Sequence, residues 1–159
     1  MDQYQAPSAI GADMANQSPR SAELSGRLLV IDDDRSTSML IAKLGECAGF
    51  SGTSAASCEE AEQLLQSSQF DCITLDLNIG KNSGIGILKL LANMASKTPI
   101  IVISGSAPSF SELARAIGNM LQLNLLQPLP KPIDFAKLKA AFGGIKRGLD
   151  QKRAAVPTA

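Results

Sequence analysis

Acidic, hydroxyl and ammonium side chains stand directly after short apolar stretches in this sequence. Asp32 and Asp33 follow one such stretch, Asp76 and Ser104 follow two others, and Lys131 comes shortly after a fourth. Three carboxylates that lie close together repel one another unless a cation neutralises them. Oxygen ligands without His or Cys select a hard ion, so this set of side chains predicts a Mg²⁺ site.

A carboxylate nucleophile, a metal ion and a fixed cation together indicate phosphoryl transfer to an aspartate. Mg²⁺ is usually completed by a phosphate oxygen, to which Ser104 and Lys131 would supply a hydrogen bond and a positive charge. Each residue alone has a plainer interpretation. The acidic pair is also typical of a helix N-terminus, and Asp76 with Asn78 and Gly80 is also typical of a turn. The combination is more specific than any of its parts.

The apolar stretches before these residues are predicted to be strands buried on both faces of a parallel sheet. Apolar residues at helical spacing separate them, so strands and helices alternate five times. This alternation predicts an α/β fold, a single domain with a doubly wound five-stranded parallel sheet and right-handed crossovers. In such sheets, ligands bind beyond the carboxyl ends of the strands. The predicted strands are residues 28–31, 52–56, 70–77, 99–103 and 125–129.

Helix starts and buried faces can also be predicted. Ser57 with Glu60, and Ser109 with Glu112, have the spacing of capping boxes, and Asp134 is predicted to cap the last helix. The third helix is predicted over residues 84–95, and the fourth is predicted to end near residue 123. The faces predicted to be buried on the first and third helices consist of Leu40, Ile41, Leu44, Cys47 and Ala48, and of Ile85, Leu88, Leu91 and Met94.

The two ends of the chain differ in composition from its middle. Residues 1–26 are rich in Ala, Ser, Gln, Gly and Pro without a sustained period, which predicts a disordered N-terminal arm. The folded domain is predicted over residues 27–145. Beyond Gly143 and Gly144 the sequence becomes polar and basic, so residues 146–159 are interpreted as a C-terminal tail or linker, either frayed helix or an extended connection.

The composition excludes several kinds of site. The 159 residues include 15 basic and 15 acidic side chains, so no global charge attracts nucleic acid or an anionic membrane. The absence of His excludes a Ser–His–Asp triad, a His-ligated zinc site and a phosphohistidine in these residues. Cys47, Cys58 and Cys72 are interpreted as buried, reduced cysteines. No stretch resembles a signal peptide or a membrane span, so we expect a cytoplasmic protein.

About residues 27–142 resemble the response regulator receiver family. The motifs that carry the resemblance are LLVIDDD, ITLDLNIGKNSG, PIIVISGSA and LPKPI. The family's fold is flavodoxin-like, with strand order 2-1-3-4-5, and we expect the same order here. By position, Asp76 resembles the phosphorylated aspartate. Asp32 and Asp33 resemble the paired metal-site acids, with Asp33 the expected direct ligand, and Asn78 resembles the residue whose backbone carbonyl completes the metal shell.

The remaining motif residues also have counterparts in the family. Ser104 matches the hydroxyl that reaches the phosphoryl group and, with Gly105 after it, is expected to couple phosphorylation to a shift of the following loop. Lys131 resembles the family's lysine, so the Lys131–Pro132 peptide bond is expected to be cis. Gly84 stands at the expected offset after Asp76.

Several positions depart from the family pattern. Gly80 stands where a proline is usual, which implies a more flexible loop. Gly105 replaces the commoner alanine, which implies easier access of water to an acyl phosphate, and Pro128 replaces the aromatic switch residue. The spacing from Ser104 to Lys131 is more than a helical turn longer than is usual. Receivers that precede cyclic-di-GMP phosphodiesterase domains look similar near Lys131.

The resemblance implies a phosphorylation switch in two-component signalling, with a sensor histidine kinase or a histidine phosphotransfer protein as donor. An unknown output partner and a homodimer through the fourth helix, fifth strand and fifth helix are further expectations. Neither nucleic acid nor membrane is expected to bind directly. One alternative is a pseudo-receiver that binds proteins without phosphorylation. A haloacid-dehalogenase-type phosphatase is disfavoured, because Ser36 occupies the fifth place of the motif that begins at Asp32, where such enzymes need Thr or Val.

Overall fold

Five strands and five helices alternate along the chain in the computed structural model, which describes residues 24–81, 83–105 and 108–157. All strand pairs are parallel, and their order is β2-β1-β3-β4-β5. The predicted α/β fold and its strand order are confirmed. The strands are β1 (Gly26–Ile31), β2 (Phe50–Ala55), β3 (Cys72–Asp76), β4 (Ile100–Ser104) and β5 (Leu129–Pro130). The helices are α1 (Arg35–Cys47), α2 (Cys58–Ser67), α3 (Ile85–Asn93), α4 (Pro108–Met120) and α5 (Phe135–Ala154).

The three central strands form the inner layer of the molecule. Every residue of β3 and β4 is buried, as is β1 from Leu28 onward. Covering both faces of a parallel sheet requires continuous runs of Val, Ile and Leu, which these strands supply. Burial of one such side chain contributes about 1.5–3 kcal/mol. Ile31 pairs with Leu75, and Asp76 pairs with Ile103, so the carboxyl ends of these strands lie at one edge of the sheet.

Two apolar clusters cover the sheet, one on each face. Phe50 and Phe142 pack in one of them, with ring centroids 5.9 Å apart. The larger cluster joins one face of the sheet to α2, α3 and α4. Because both clusters contain residues of β1, β3 and β4, the strand ends are anchored from both sides.

The buried face of α1 agrees with the prediction only in part. Ile41 is buried, and Leu44 and Ala48 are partly buried against the cluster that contains Phe142, as predicted. Leu40 is 47% exposed and Cys47 is exposed, against the prediction. The other buried residues of this helix are Ser38 and Gly45. A Cβ at position 45 would collide with the Leu28 side chain, so glycine lets the helix approach β1 closely. The prediction considered apolar side chains alone, so it included Leu40 and Cys47 in the face and left out Ser38 and Gly45.

The prediction of three buried cysteines is wrong for two of them. Only Cys72 is buried among the three, while Cys58 is half-buried and Cys47 is exposed. Burial raises the pKa of the Cys72 thiol, with a smaller contribution from the charge of Asp71. Because the thiolate is the reactive form, this shift makes Cys72 a packing residue rather than a nucleophile.

Two of the predicted helix caps are confirmed, and a third is wrong. The Glu60 N–H donates to Ser57 Oγ (3.1 Å), and the Glu60 carboxylate accepts from the Ala56 N–H (2.8 Å). Asp134 caps α5 by accepting from two backbone N–H groups. The helix α4 begins at Pro108, so Ser109 lies inside its first turn rather than at the cap. Proline suits this first position because it has no N–H to leave unpaired.

Three predicted element ends also need correction. The helix α3 ends at Asn93, which leaves Met94 45% exposed rather than facing inward. The strand β5 has two residues, and Leu125 forms only an isolated bridge with Ile100. Pro128 has no N–H for a longer ladder. The helix α4 ends at Met120 rather than near residue 123.

The prediction that the chain frays after Gly144 is wrong, because α5 continues to Ala154. Each glycine costs about 1 kcal/mol relative to alanine in a helix. Ile145 and Leu149 pack against the cluster that contains Phe142, and this burial offsets the cost.

The domain limits themselves stay predictions. Gly26 belongs to β1, and residues 1–23 of the predicted arm lie outside the described residues. Within the described residues, no helix is both long and apolar enough to cross a membrane.

Candidate functional site

The structure brings the predicted acids together at the carboxyl edge of the sheet. Asp32 and Asp33 follow β1, and Asp76 is the last residue of β3. One carboxylate oxygen from each lies within 4.8 Å of the other two. Asp32 and Asp76 are buried, and Asp33 is exposed. We call these three residues the carboxylate cluster.

Lys131 bridges two members of the carboxylate cluster. Its Nζ donates to Asp76 Oδ2 (2.7 Å) and to Asp32 Oδ2 (3.1 Å). Burial by itself would lower the pKa of the Lys131 ammonium, but the hydrogen bonds and charges of Asp76 and Asp32 together raise it above its usual value. The ammonium is therefore a fixed positive charge at neutral pH.

Backbone N–H groups hold one oxygen of each carboxylate. The Asp34 N–H donates to Asp32 Oδ1 (2.8 Å), and the Asn78 N–H donates to Asp76 Oδ1 (2.9 Å). The Gly80 N–H donates to Asp33 Oδ2 (2.9 Å). Asp34 itself caps α1, so the helix start and the cluster share one turn. Sequence reasoning missed these donors, because side-chain types do not indicate where a backbone N–H points.

The charges of the site fit a divalent cation. The three carboxylates of the cluster and the single Lys131 ammonium leave about two negative charges when all are ionised. Burial raises the pKa of Asp32 above its usual range, and the charge of Asp76 adds to this. The Asp34 N–H and Lys131 oppose the rise without cancelling it. A buried acid with a raised pKa gains from a further cation, and an all-oxygen donor set suits Mg²⁺.

Ser104 is buried at the end of β4, at the same edge of the sheet as the cluster. Its carbonyl accepts from the Lys131 N–H (3.0 Å), which places Lys131 relative to β4. Gly105 is exposed, and a Cβ there would stand 3.6 Å from Lys131 Cβ, in ordinary contact. The peptide bond between Lys131 and Pro132 is cis, as expected. The roles of Ser104 and Gly105 towards a phosphoryl group, and that of the Asn78 carbonyl towards a metal, stay predictions.

Gly84 packs closely against the backbone at the end of β3, next to Asp76. Its N–H donates to the Leu77 carbonyl (2.9 Å). A Cβ at this position would stand 2.7 Å from the Asp76 carbonyl oxygen and 3.0 Å from Leu77 Cα. These are backbone atoms of the segment that presents Asp76, so glycine is required for the close approach.

Gly84→Ala is therefore expected to lower the free energy of unfolding by about 1–3 kcal/mol, because the backbone beside Asp76 must move. Urea unfolding followed by circular dichroism would measure it. Gly86→Ala is the matched control, since a Cβ at this exposed position of α3 meets nothing within 4 Å. The control should be neutral or stabilising. Equal stability of the two variants would contradict the packing argument.

Comparison with known proteins identifies the relatives of this chain. Residues 28–143 match the family model described as the response regulator receiver domain. The transcriptional regulatory protein CpxR of Escherichia coli K12 is 36% identical over 121 residues, which are 76% of this chain and 49% of CpxR. The regulatory protein VirG of Agrobacterium fabrum is 37% identical over 94 residues, 58% of this chain and 37% of VirG. The chain thus spans at most about half the length of these relatives.

Solved structures of response regulators have a similar fold. A response regulator protein from Burkholderia pseudomallei is 25% identical with a TM-score of 0.63, covering 81% of this chain and 73% of that one. That structure is described as having a phosphorylated aspartic acid, a calcium ion and citrate. The receiver domain of the Francisella response regulator 1452 has a TM-score of 0.67 at 24% identity, covering 78% of this chain and 98% of that one. The second similarity concerns the fold alone.

Proposed function

This chain belongs to the response regulator receiver family, and from that membership we propose that Asp76 accepts a phosphoryl group in a Mg²⁺-dependent reaction. The observation that carries the proposal is the bridge from Lys131 Nζ to Asp76 Oδ2 and Asp32 Oδ2 inside the carboxylate cluster. This bridge supports the proposal because a fixed ammonium lies against the Asp76 carboxylate, beside acids that can hold a divalent ion.

The chain's own residues divide the reaction between them. A carboxylate oxygen of Asp76 forms the new bond to phosphorus, while the bond from phosphorus to the donor's imidazole nitrogen breaks and that nitrogen keeps the electron pair. The Lys131 ammonium moves from the carboxylate to a phosphoryl oxygen, and the Ser104 hydroxyl donates to another. Asp32, Asp33, Asp76 and the Asn78 backbone carbonyl would hold Mg²⁺, which when bound supplies charge neutralisation for the phosphoryl oxygens.

The phosphoryl donor is proposed to be a second molecule. The sequence contains no His, so a phosphohistidine must come from a sensor histidine kinase or a histidine phosphotransfer protein, or a small acyl phosphate must replace it. The proposal places this exchange in the cytoplasm. The only chemistry proposed for the chain is its own phosphorylation and dephosphorylation, and a pseudo-receiver is disfavoured because acids, lysine and serine are all present.

The output surface is proposed to be the face formed by α4, β5 and α5. Leu113 and Met120 on α4 are 46% and 82% exposed. A groove of about 430 Å³ between β5 and α5 is lined by Leu126, Pro128 and Ala141 together with their neighbours. Apolar exposure of this kind suits an output protein or a second copy of the chain. With Pro128 in place of an aromatic residue, no Tyr or Phe rotamer switch is proposed at this position. No direct contact with nucleic acid or membrane is proposed.

The proposed function is tested with acetyl phosphate as donor. We expect the intact protein to gain the mass of one phosphoryl group in Mg²⁺ and to gain none when EDTA replaces the metal. Equal incorporation with and without Mg²⁺ would remove the metal from the proposal. No incorporation from either acetyl phosphate or a cognate kinase, together with no measurable Mg²⁺ binding, would identify a pseudo-receiver instead.

A further inference from the structure

Asp33 is held differently from the other two acids of the carboxylate cluster. Lys131 contacts Asp32 and Asp76, whereas Asp33 Oδ2 accepts a hydrogen bond from the Gly80 N–H (2.9 Å). The two residues lie 47 positions apart, and Gly80 belongs to the loop after Asp76. This bond ties the loop that follows the acceptor strand to the acid that follows β1.

The backbone of Gly80 explains why glycine occupies this position. Its φ is +56°, in the left-handed region that L side chains rarely adopt. A Cβ there would meet nothing within 4 Å, so conformation rather than space requires glycine. The preceding Ile79 side chain is buried in the larger apolar cluster, and the Asn78 N–H is bound to Asp76. The loop is therefore anchored immediately before Gly80, and the Gly80 N–H points at Asp33 from a fixed place.

We propose that Gly80 is a positioning residue for Asp33 as a metal ligand, acting through its backbone N–H. The bond fixes Oδ2 and leaves Oδ1 to the cation, so a divalent ion meets an ordered ligand instead of a mobile exposed side chain. The amide is neutral and therefore removes little of the charge that attracts the ion. This inference rests on the proposed function, which makes the carboxylate cluster the metal site, and it assigns a residue that holds one ligand in place.

Two substitutions at position 80 test the role of the N–H: one removes the donor together with the left-handed conformation that directs it, and the other keeps both. Gly80→Pro removes the donor, and its φ near −65° cannot reach the left-handed region. Gly80→Asn keeps the N–H and tolerates the left-handed region better than other side chains. We expect Gly80→Pro to weaken Mg²⁺ binding by about tenfold, the lower end of the effect of losing a group that orients a metal ligand. The matched Gly80→Asn variant should stay within about twofold of the unmodified protein, because the orienting donor is kept.

The probe is Mg²⁺ alone, titrated into each folded protein and followed calorimetrically. A thermal unfolding curve in EDTA checks that each variant is folded. Hydrogen exchange of the Gly80 amide in the unmodified protein gives a readout that needs no variant. We expect this amide to be protected without Mg²⁺ and to remain protected with it.

The outcomes distinguish the two levels of the proposal. If the unmodified protein binds no Mg²⁺, the proposed function fails and the inference fails with it. If it binds Mg²⁺ and folded Gly80→Pro binds equally well, the inference alone is overturned. An equal loss in Gly80→Asn and Gly80→Pro would assign the effect to the side chain and overturn the role of the N–H. If the proline variant does not fold, rapid exchange of the Gly80 amide in the unmodified protein would overturn the role of the N–H.

Discussion

Asp76→Asn is expected to abolish phosphoryl incorporation from acetyl phosphate in Mg²⁺. An amide oxygen keeps the shape of the carboxylate and still accepts from the Asn78 N–H, which donates to Asp76 Oδ1 in the structure. It is a very poor nucleophile, and it carries no charge to pair with Lys131. The intact mass of the variant should therefore remain that of the unmodified chain at a time when the unsubstituted protein is fully phosphorylated.

The control for this loss is Asp71→Asn, which changes an acid just before the start of the same strand. Asp71 Oδ2 accepts from the Arg27 N–H (2.8 Å), far from the carboxyl edge of the sheet. Incorporation into this variant should match that of the unsubstituted protein. If Asp76→Asn still took up phosphate at the control's rate, Asp76 would not be the acceptor.

Lys131→Met is expected to lower the free energy of unfolding by about 2 kcal/mol in the absence of a metal. Truncating one partner of a fully buried ion pair costs more than this, about 3–5 kcal/mol. The Lys131 side chain is 27% exposed, so water screens part of the charge and reduces the loss. Methionine keeps an apolar stem but leaves Asp32 and Asp76 without their common donor.

Mg²⁺ should stabilise Lys131→Met more than it stabilises the unsubstituted protein, because the cation then relieves a larger excess of negative charge. Urea unfolding with and without Mg²⁺ measures both differences. Lys137→Met is the control, since the Lys137 side chain is 70% exposed and lies 3.9 Å from Asp134, so little change is expected. Equal stability of Lys131→Met and Lys137→Met would contradict the electrostatic explanation. It would also be contradicted if Mg²⁺ raised the free energy of unfolding of Lys131→Met and of the unsubstituted protein by the same amount.

The sequence was enough to predict that the carboxylate cluster and Lys131 lie close together, because parallel sheets bring the carboxyl ends of their strands to one edge. Lys131 lies 55 positions from Asp76 and 99 from Asp32, yet both pairs are in contact. Only the order of strands is needed to bring these residues to the same edge. The apolar runs that mark the strands are unusually clear here, since β3 and β4 are buried along their whole length.

Other features depend on contacts that no local pattern contains. The buried face of α1 includes Gly45, which fits closely against Leu28, and apolar spacing cannot indicate a buried glycine. The helix α5 passes Gly143 because Ile145 packs against a distant cluster. The Gly80 N–H donates to Asp33 because the backbone of Gly80 is in the left-handed region. From the sequence, the same glycine was interpreted only as making the loop more flexible.

The role of Asp76 as acceptor is tested by locating the phosphoryl group on the chain. The protein is phosphorylated with acetyl phosphate in Mg²⁺, reduced with borohydride, digested, and sequenced by tandem mass spectrometry, which reads a former aspartyl phosphate as homoserine. We expect homoserine at position 76 and aspartate at positions 32 and 33. Homoserine at another position with none at 76 would contradict the assignment of Asp76, and so would a chain that fails to be modified under conditions in which it binds Mg²⁺.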